Sequence, residues 1–137
     1  MLDAYWGTAA PLITKQFRGE VEKFIGDALV ATFNNRGDQP DHALRAAGAA
    51  LELQRRLSAL SEQHPSWPRA RVGVNSGDVV VQQIGSHGHV AYPSVGDTVN
   101  TGARLESAAP SGGVLIGDET YRRLPSGTVA EWQAGCA

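Results

Sequence analysis

Apolar residues recur along this chain with two different periods, and the change of period marks its predicted elements. In residues 2–18 they recur every three or four positions, which predicts a helix that Gly19 ends. Residues 21–33 instead hold two short apolar runs on either side of Gly26-Asp27. Short apolar runs separated by such a turn indicate a β-hairpin, with strands at 21–24 and 28–33.

The rest of the chain adds further helices and short strands. Residues 40–63 carry an alanine- and leucine-rich stripe with helical spacing, and Asp38 is placed to cap this helix. The stripe consists of Ala43, Leu44, Ala47, Ala50, Leu51, Leu57 and Leu60. The pattern predicts a second hairpin with strands at 72–74 and 79–84, a strand at 91–95, a helix at 96–108, a buried strand at 114–116 and a helix at 118–124. This mixed order favours an α+β fold, with helices packed on a largely antiparallel sheet.

Length and composition narrow the class of protein. The chain has 137 residues, which fits a single domain spanning 1–137. Lys and Arg total 12 against 14 for Asp and Glu, so no basic excess points to nucleic acid or to an anionic membrane. No apolar run approaches the roughly 20 residues that cross a bilayer. The single cysteine, Cys136, provides neither a disulfide framework nor a thiolate metal site. We therefore expect a cytoplasmic globular domain.

Two charged residues of the opening hairpin are candidates for chemistry. Lys23 lies within the first predicted strand, where a half-buried ammonium needs a partner, whereas a lysine on the solvent face needs none. Asp27 lies in the turn, where it either reverses the chain or holds a cation such as a metal ion. The spacing of these residues leaves both pairs of alternatives open.

A third candidate site lies in the predicted helix GDTVNTGARLES. Asn100 and Arg104 are four residues apart and therefore share one helix face. An amide beside a guanidinium can contact the ribose and phosphates of a nucleotide, and arginine suits phosphate especially well. The alternative is an ordinary solvated pair on the helix surface.

Four segments together resemble a known family. VEKFIGDALVATF, RVGVNSGDVVV, IGSHGHVAYPSVGDTVNTGARLES and GGVLIGDETYRRL occur in the order and spacing of the class III adenylate/guanylate cyclase catalytic domain, over residues 2–124. The resemblance implies a ferredoxin-like α+β domain that forms a head-to-tail homodimer, with ATP or GTP bound across the interface. It also implies that regulatory domains lie outside this chain, in a protein of cyclic-nucleotide signal transduction.

The resemblance assigns a role to each candidate residue. Asp27 matches the second of the family's two metal-binding aspartates, and Lys23 matches the purine-selecting position, where lysine accompanies adenine. Asn100 and Arg104 match the pair that orients the ribose and stabilises the transition state. The implied reaction is attack of the ribose 3′-oxygen of ATP on the α-phosphorus, which yields cyclic AMP and pyrophosphate. Two Mg²⁺ or Mn²⁺ ions would assist it.

The sequence also departs from the family pattern. The family's opening strand carries the first metal-binding aspartate, and Asp3 lies in a helical pattern that does not match it. Pro93 stands where the family often has a purine-binding aspartate or threonine, although Ser94 beside it could replace that contact. Gln82 stands where glycine is usual, and the family continues with more strands after Leu124.

These departures qualify the expected function. We expect a domain that lacks the family's N-terminal strand and C-terminal strands, with exposed sheet edges that an element-swapped dimer would cover. The enzymatic interpretation is an adenylate cyclase domain, with the activity of this chain by itself in doubt because one metal carboxylate is missing. The alternative is a degenerate, non-catalytic cyclase homology domain that binds a nucleotide or a regulatory partner. No GG[D/E]EF-like motif supports a diguanylate cyclase.

Overall fold

The structure, a computed structural model, describes residues 2–78 and 93–125. Its elements in chain order are α1 (Leu2–Pro11), β1 (Glu20–Ile25), β2 (Ala28–Thr32), α2 (His42–Gln63), β3 (Val72–Val74), α3 (Pro93–Ala108), β4 (Val114–Ile116) and α4 (Asp118–Arg122). The predicted strand at 79–84, the start of the one at 91–95 and the segment after 125 lie outside the described residues. Within the described ranges, no helix has the length and hydropathy needed to cross a membrane.

The first helix is confirmed, but it ends differently from the prediction. A π-helical turn, Leu12–Gln16, continues α1, and the Gly19 N–H then donates to the carbonyl oxygen of Ile13 at 2.8 Å. The left-handed residue of this helix stop is Arg18, with φ +62°, rather than Gly19. Glycine suits position 19 for another reason, because a Cβ there would lie 2.7 Å from the ring of Phe33 and would displace that ring.

The opening hairpin is confirmed. β1 and β2 pair antiparallel, and Ile25 faces Ala28 across a two-residue turn. Gly26 has φ +58°, and a positive φ confined to the first turn residue is typical of a type II′ hairpin turn. The register shifts between Val21 and Lys23, which makes a β-bulge in β1.

The long helix α2 differs from its prediction at its start and along its apolar stripe. It begins at His42 after the N-cap residue Asp41, so the predicted cap by Asp38 is wrong. Asp41 makes no side-chain cap and instead accepts a hydrogen bond from Arg45 at 2.7 Å. Leu51 is 66% exposed and Leu44 is also exposed, although the apolar pattern placed both on the packed face. The side chains that α2 buries are Ala43, Ala49, Ala50, Gln54, Leu57 and Ser61.

The second sheet differs from the prediction in part. β3 and β4 pair in parallel, and within the described residues they form a sheet separate from the antiparallel pair β1 and β2, while the predicted partner of β3 at 79–84 lies outside these residues. β4 is half-buried rather than buried. α3 begins at Pro93, so the strand predicted up to residue 95 is wrong there. Proline suits the first turn of a helix because its missing N–H has no helical partner at that position.

Helices, rather than strands, supply the core of the described structure. The buried apolar residues are Tyr5, Ala9, Leu12, Ile13, Ala43, Ala49, Ala50, Leu57, Leu105 and Ala109. The Tyr5 hydroxyl donates to the Pro68 carbonyl oxygen at 2.7 Å and lies 3.1 Å from the Ser61 hydroxyl, which ties α1 to the end of α2. Gln54 donates to the carbonyl oxygens of Ala70 and Gly113, and so ties α2 to the starts of β3 and β4.

Candidate functional site

The tip of the β1–β2 hairpin presents a carboxylate. Asp27 is the second residue of the turn and is exposed. Its neighbour Gly26 takes the left-handed conformation, so the turn does not depend on the Asp27 side chain. Over residues 2–78 and 93–125 the Asp27 carboxylate has no hydrogen bond or ion pair. It therefore remains available to a cation.

Lys23 lies on β1, opposite Val30 and next to the bulge. Its side chain is exposed, so its ammonium needs no buried partner. This position agrees with the alternative that Lys23 lies on the solvent face of its strand. The same exposure leaves the three N–H donors of the ammonium free to meet a ligand.

Asn100 and Arg104 both lie on the exposed face of α3, as their spacing predicts. The opposite face of the helix buries Leu105. The Arg104 guanidinium donates to the hydroxyl of Thr101 at 3.1 Å, and no described carboxylate pairs with it. An unpaired guanidinium beside an amide is a chemically suitable surface for a phosphate and a sugar.

Ser94 lies in the first turn of α3, directly after Pro93. The contact of Ser94 with a purine stays a prediction. The placement is still informative, because α3 carries Ser94, Asn100 and Arg104 on one continuous element.

The packing of α3 on β3 depends on glycines that the sequence pattern did not single out. A Cβ at Gly73 would overlap the backbone of α3, including the carbonyl oxygen of Gly102 at 2.5 Å. A Cβ at Gly77 would lie 2.7 Å from the hydroxyl oxygen of Thr98. Glycine inside a strand often marks the close approach of another backbone, and this signal at Gly73 was available in the sequence.

The described residues place the candidates in two groups. Lys23 and Asp27 belong to the hairpin, whereas Asn100 and Arg104 belong to α3, which packs on β3 and β4. No hydrogen bond or ion pair joins the two groups in the part of the chain that the structure describes. In the same part, no three His, Cys, Asp or Glu side chains form a cluster that would hold a metal ion by protein ligands alone.

The carboxylates with clearly lowered pKa belong to surface ion pairs elsewhere. Hydrogen bonds from Arg55 and Arg56 lower the pKa of Glu52 on α2 to about 2. The Arg123 guanidinium likewise lowers the pKa of Glu119 on α4. These shifts reflect ordinary intrahelical pairs and do not mark a further site.

Comparison with known proteins identifies the family of this chain. Residues 2–134 match the family described as the adenylate and guanylate cyclase catalytic domain. An uncharacterized protein of Mycobacterium tuberculosis is 34% identical over 122 residues, which is 86% of this chain and 20% of that protein. Adenylate cyclase 1 of Rhizobium meliloti is 31% identical over 111 residues, 77% of this chain and 16% of that protein. The chain thus spans about a fifth of the length of these relatives.

Solved structures show the same fold. The catalytic core of a rhodopsin-guanylyl cyclase with converted specificity, in complex with ATPαS, superposes with a TM-score of 0.62 at 23% identity, covering 93% of this chain and 68% of that one. A non-canonical dimeric guanylyl cyclase domain from Blastocladiella emersonii superposes with a TM-score of 0.58 at 22% identity, covering 88% and 66%. From the family match and the shared fold, this chain belongs to the adenylate and guanylate cyclase catalytic domain family.

Proposed function

We propose that this domain converts ATP to 3′,5′-cyclic AMP and pyrophosphate at a homodimer interface. One observation carries the proposal: the exposed face of α3 presents Asn100 beside an Arg104 guanidinium that no described carboxylate neutralises. A triphosphate could bind to this surface without breaking an ion pair of the Arg104 guanidinium, whose side-chain hydrogen bond goes to the Thr101 hydroxyl. Two of the relatives are named adenylate cyclases, which supports a cyclase reaction for this domain.

Asn100 and Arg104 would act at the reacting end of the substrate. In the reaction, the ribose 3′-oxygen forms a bond to the α-phosphorus, the bond from that phosphorus to the bridging oxygen breaks, and pyrophosphate leaves with the electron pair. The 3′-hydroxyl proton passes to solvent. The Asn100 amide would hold the ribose so that its 3′-oxygen faces the phosphorus, and Arg104 would stabilise the negative charge that builds on the phosphoryl oxygens.

Lys23 and Ser94 would bind the purine. An ammonium only donates hydrogen bonds, and N1 of adenine accepts one, whereas N1 and the 2-amino group of guanine donate. A lysine at this position therefore favours ATP over GTP. Ser94 would add a second contact through its hydroxyl, in place of the side chain that Pro93 cannot provide.

Asp27 would supply one ligand of the metal site. The cyclase family typically uses two divalent ions, and Mg²⁺ or Mn²⁺ prefers several oxygen ligands, of which the hairpin turn offers one carboxylate. Because the described residues contain no group of three such ligands, the other ligands of the ions would come from the triphosphate, from water or from further carboxylates. When bound, the ions would lower the pKa of the 3′-hydroxyl and neutralise the triphosphate.

A head-to-tail homodimer would join the two groups of residues. Each site would take Asp27 from one protomer and Asn100 and Arg104 from its partner. Their placement on separate parts of one chain fits such a shared site. An element-swapped dimer would satisfy the same requirement, and light scattering with intact mass distinguishes either dimer from a monomer.

Turnover assays test these assignments. Cyclic AMP formation from Mn²⁺-ATP is measured for the wild type, Asp27→Ala and Asn100→Ala, with Asp3→Ala as the matched control for a lost exposed carboxylate. We expect losses of about 100-fold or more for the first two variants and less than twofold for Asp3→Ala. Turnover that survives Asp27→Ala would refute its role as a metal ligand.

Mixing the two inactive variants tests the shared site. In a mixed dimer of Asp27→Ala with Asn100→Ala, one of the two sites receives both native residues. If protomers mix at random, about a quarter of wild-type turnover should return. No recovery in freely exchanging dimers would show that both residues serve the same protomer's site.

A second candidate function is a cyclase homology domain that binds nucleotide without turnover. The match of Asp27 to only one of the family's two metal-binding aspartates favours it, because a single carboxylate supplies less negative charge to hold two divalent ions. Calorimetry with Mg²⁺-ATP, alongside the turnover assay, separates the two functions. Binding that Arg104→Ala weakens, without cyclic AMP formation in the wild type, would establish the non-catalytic role.

A further inference from the structure

A side-chain contact at the C-terminal end of β3 holds the helix that carries the proposed catalytic residues. The Asn75 amide, one residue after β3, donates to the backbone carbonyl oxygen of Thr98 on α3 at 3.1 Å. Thr98 lies two residues before Asn100. In an α-helix the same carbonyl oxygen accepts the N–H four residues later, so Asn75 uses its second lone pair.

Close packing restricts where Asn75 can go. A Cβ at Gly117, just after β4, would overlap the Asn75 Oδ1 atom. On the other side, the Cβ of Asn75 lies 3.9 Å from the position of a Cβ on Gly102. The amide is therefore confined between the end of β4 and the inner face of α3. Its donor group can reach the Thr98 carbonyl with little rotamer freedom to lose.

The contact with Gly73 and the contact with Asn75 control different movements of α3. Backbone contact at Gly73 sets how far the helix lies from β3. One such contact still allows the helix to rotate about its axis or to slide. A directed hydrogen bond to one carbonyl, about a turn away along the helix, opposes both movements. Rotation of α3 would carry Asn100 and Arg104 away from a bound nucleotide together.

We propose that Asn75 is a positioning residue, which acts through the Thr98 carbonyl to set the orientation of Asn100 and Arg104 toward a nucleoside triphosphate. This inference rests on the function proposed for α3. It goes beyond that function because it gives Asn75 a role through its contact with the helix backbone, in addition to the residues proposed to meet the substrate. Misplacement of a reacting group by about 1 Å can lower a rate about 100-fold, so one hydrogen bond at this point has a measurable effect.

The chain offers a matched control in Gln54. Its amide donates to the carbonyl oxygens of Ala70 and Gly113, just before the N-terminal ends of β3 and β4, so its hydrogen bonds hold the end of this sheet that lies opposite Asn75. Asn75→Asp and Gln54→Glu each replace an amide by a carboxylate of the same shape. In each variant a carboxylate oxygen, which only accepts hydrogen bonds, replaces the NH₂ donor and faces a carbonyl oxygen, so the hydrogen bond is lost. Gln54→Glu removes two hydrogen bonds and Asn75→Asp removes one, so the control should destabilise the fold at least as much.

A double-mutant cycle with Asn100→Ala tests the proposal. We expect Asn75→Asp to lower kcat about tenfold or more with little change in KM, and to add clearly less than its full effect to Asn100→Ala, because part of its effect passes through Asn100 and the rest through Arg104. Gln54→Glu should lower the melting temperature, leave kcat within twofold at a temperature where the protein is folded, and combine additively with Asn100→Ala. Gly117→Ala, which displaces the Asn75 side chain, should behave like Asn75→Asp.

The outcomes separate the two proposals. If Asn100→Ala leaves turnover unchanged, the proposed function fails. If Asn100→Ala lowers turnover but Asn75→Asp has no larger effect than Gln54→Glu, or adds fully to Asn100→Ala, the positioning role fails. Should the wild type bind Mg²⁺-ATP without turnover, the catalytic form of the proposed function fails, and the positioning role, which is defined by its effect on kcat, fails with it.

Discussion

The hairpin and the α3 unit contribute different parts of the proposed site and are held in place by different means. The hairpin (β1, β2 and their turn) presents Asp27 from a two-residue turn around which a Cβ on Gly26 would find open space. The α3 unit (β3, β4 and α3) presents Asn100 and Arg104 from a helix pressed against glycines. Local backbone geometry therefore places Asp27, whereas tertiary packing places Asn100 and Arg104.

This difference has a consequence for mutation. A residue placed by a turn tolerates changes in its surroundings as long as the turn conformation survives. A residue placed by packing depends on atoms distant in sequence, such as Gly73 and Gly102, which are 29 positions apart in the chain. Substitutions that add side-chain volume should destabilise the α3 unit. Substitutions that disfavour the backbone φ of the turn should destabilise the hairpin.

Gly73→Ala should have the largest effect on stability. Its Cβ would overlap the α3 backbone, which cannot rotate away as a side chain can, so α3 must shift as a whole. We expect a loss of about 3 kcal/mol in the free energy of unfolding, measured by urea denaturation. Gly102→Ala is the matched control on the other side of this contact.

Among residues 2–78 and 93–125, a Cβ at Gly102 would meet only the Asn75 Cβ, at an ordinary distance of 3.9 Å. Because alanine favours a helix interior, Gly102→Ala should stabilise the protein by roughly 0.5–1 kcal/mol. Equal losses for the two variants would contradict the one-sided contact and hence the packing argument for α3.

Gly26→Ala should have an intermediate effect. Its Cβ has room, but φ +58° is unfavourable for an L-residue, so we expect a loss of about 1 kcal/mol. Gly7→Ala is the control, since its Cβ also has room and its backbone is helical. It should gain up to about 1 kcal/mol. The two chemical denaturation curves should move in opposite directions; parallel shifts would mean that φ does not control the hairpin.

The smallest effect should come from a surface outside both regions. Hydrogen bonds from Arg55 and Arg56 lower the pKa of Glu52 from 4.5 to about 2. Because this pKa is depressed in the folded state, the ion pair contributes its full stabilisation at pH values above the ordinary pKa of 4.5. This contribution is lost as the pH falls from 4.5 toward 2. Glu52 is on the surface, so the contribution is small and screened by salt.

The stability difference between wild type and Glu52→Gln, followed by urea midpoints, should therefore shrink as the pH falls below 4.5. It should also shrink when the salt concentration is raised at neutral pH. A difference that grows on acidification would reverse the expected sign. Neither titration should alter the contrast between the hairpin and the α3 unit.

The elements that the sequence predicted well are those that depend on local pattern. Two apolar runs around Gly26-Asp27 identified the hairpin, and helical spacing identified α2 to its end at Gln63. The predictions were wrong or incomplete where a feature depends on contacts between residues that are distant in the sequence. The exposure of Leu51 depends on which elements cover α2, and the parallel pairing of β3 with β4 depends on how the chain returns.

The sequence by itself determined the family motifs, the turn that carries Asp27 and the shared helix face of Asn100 and Arg104. Each follows from residues within a few positions of one another, because turns and helical periodicity are local properties. Only the tertiary structure decided that α3 lies directly on Gly73, and that Asn75 holds the helix through the Thr98 carbonyl. Those contacts join atoms remote in sequence, and close packing selects them only when the whole layer is assembled.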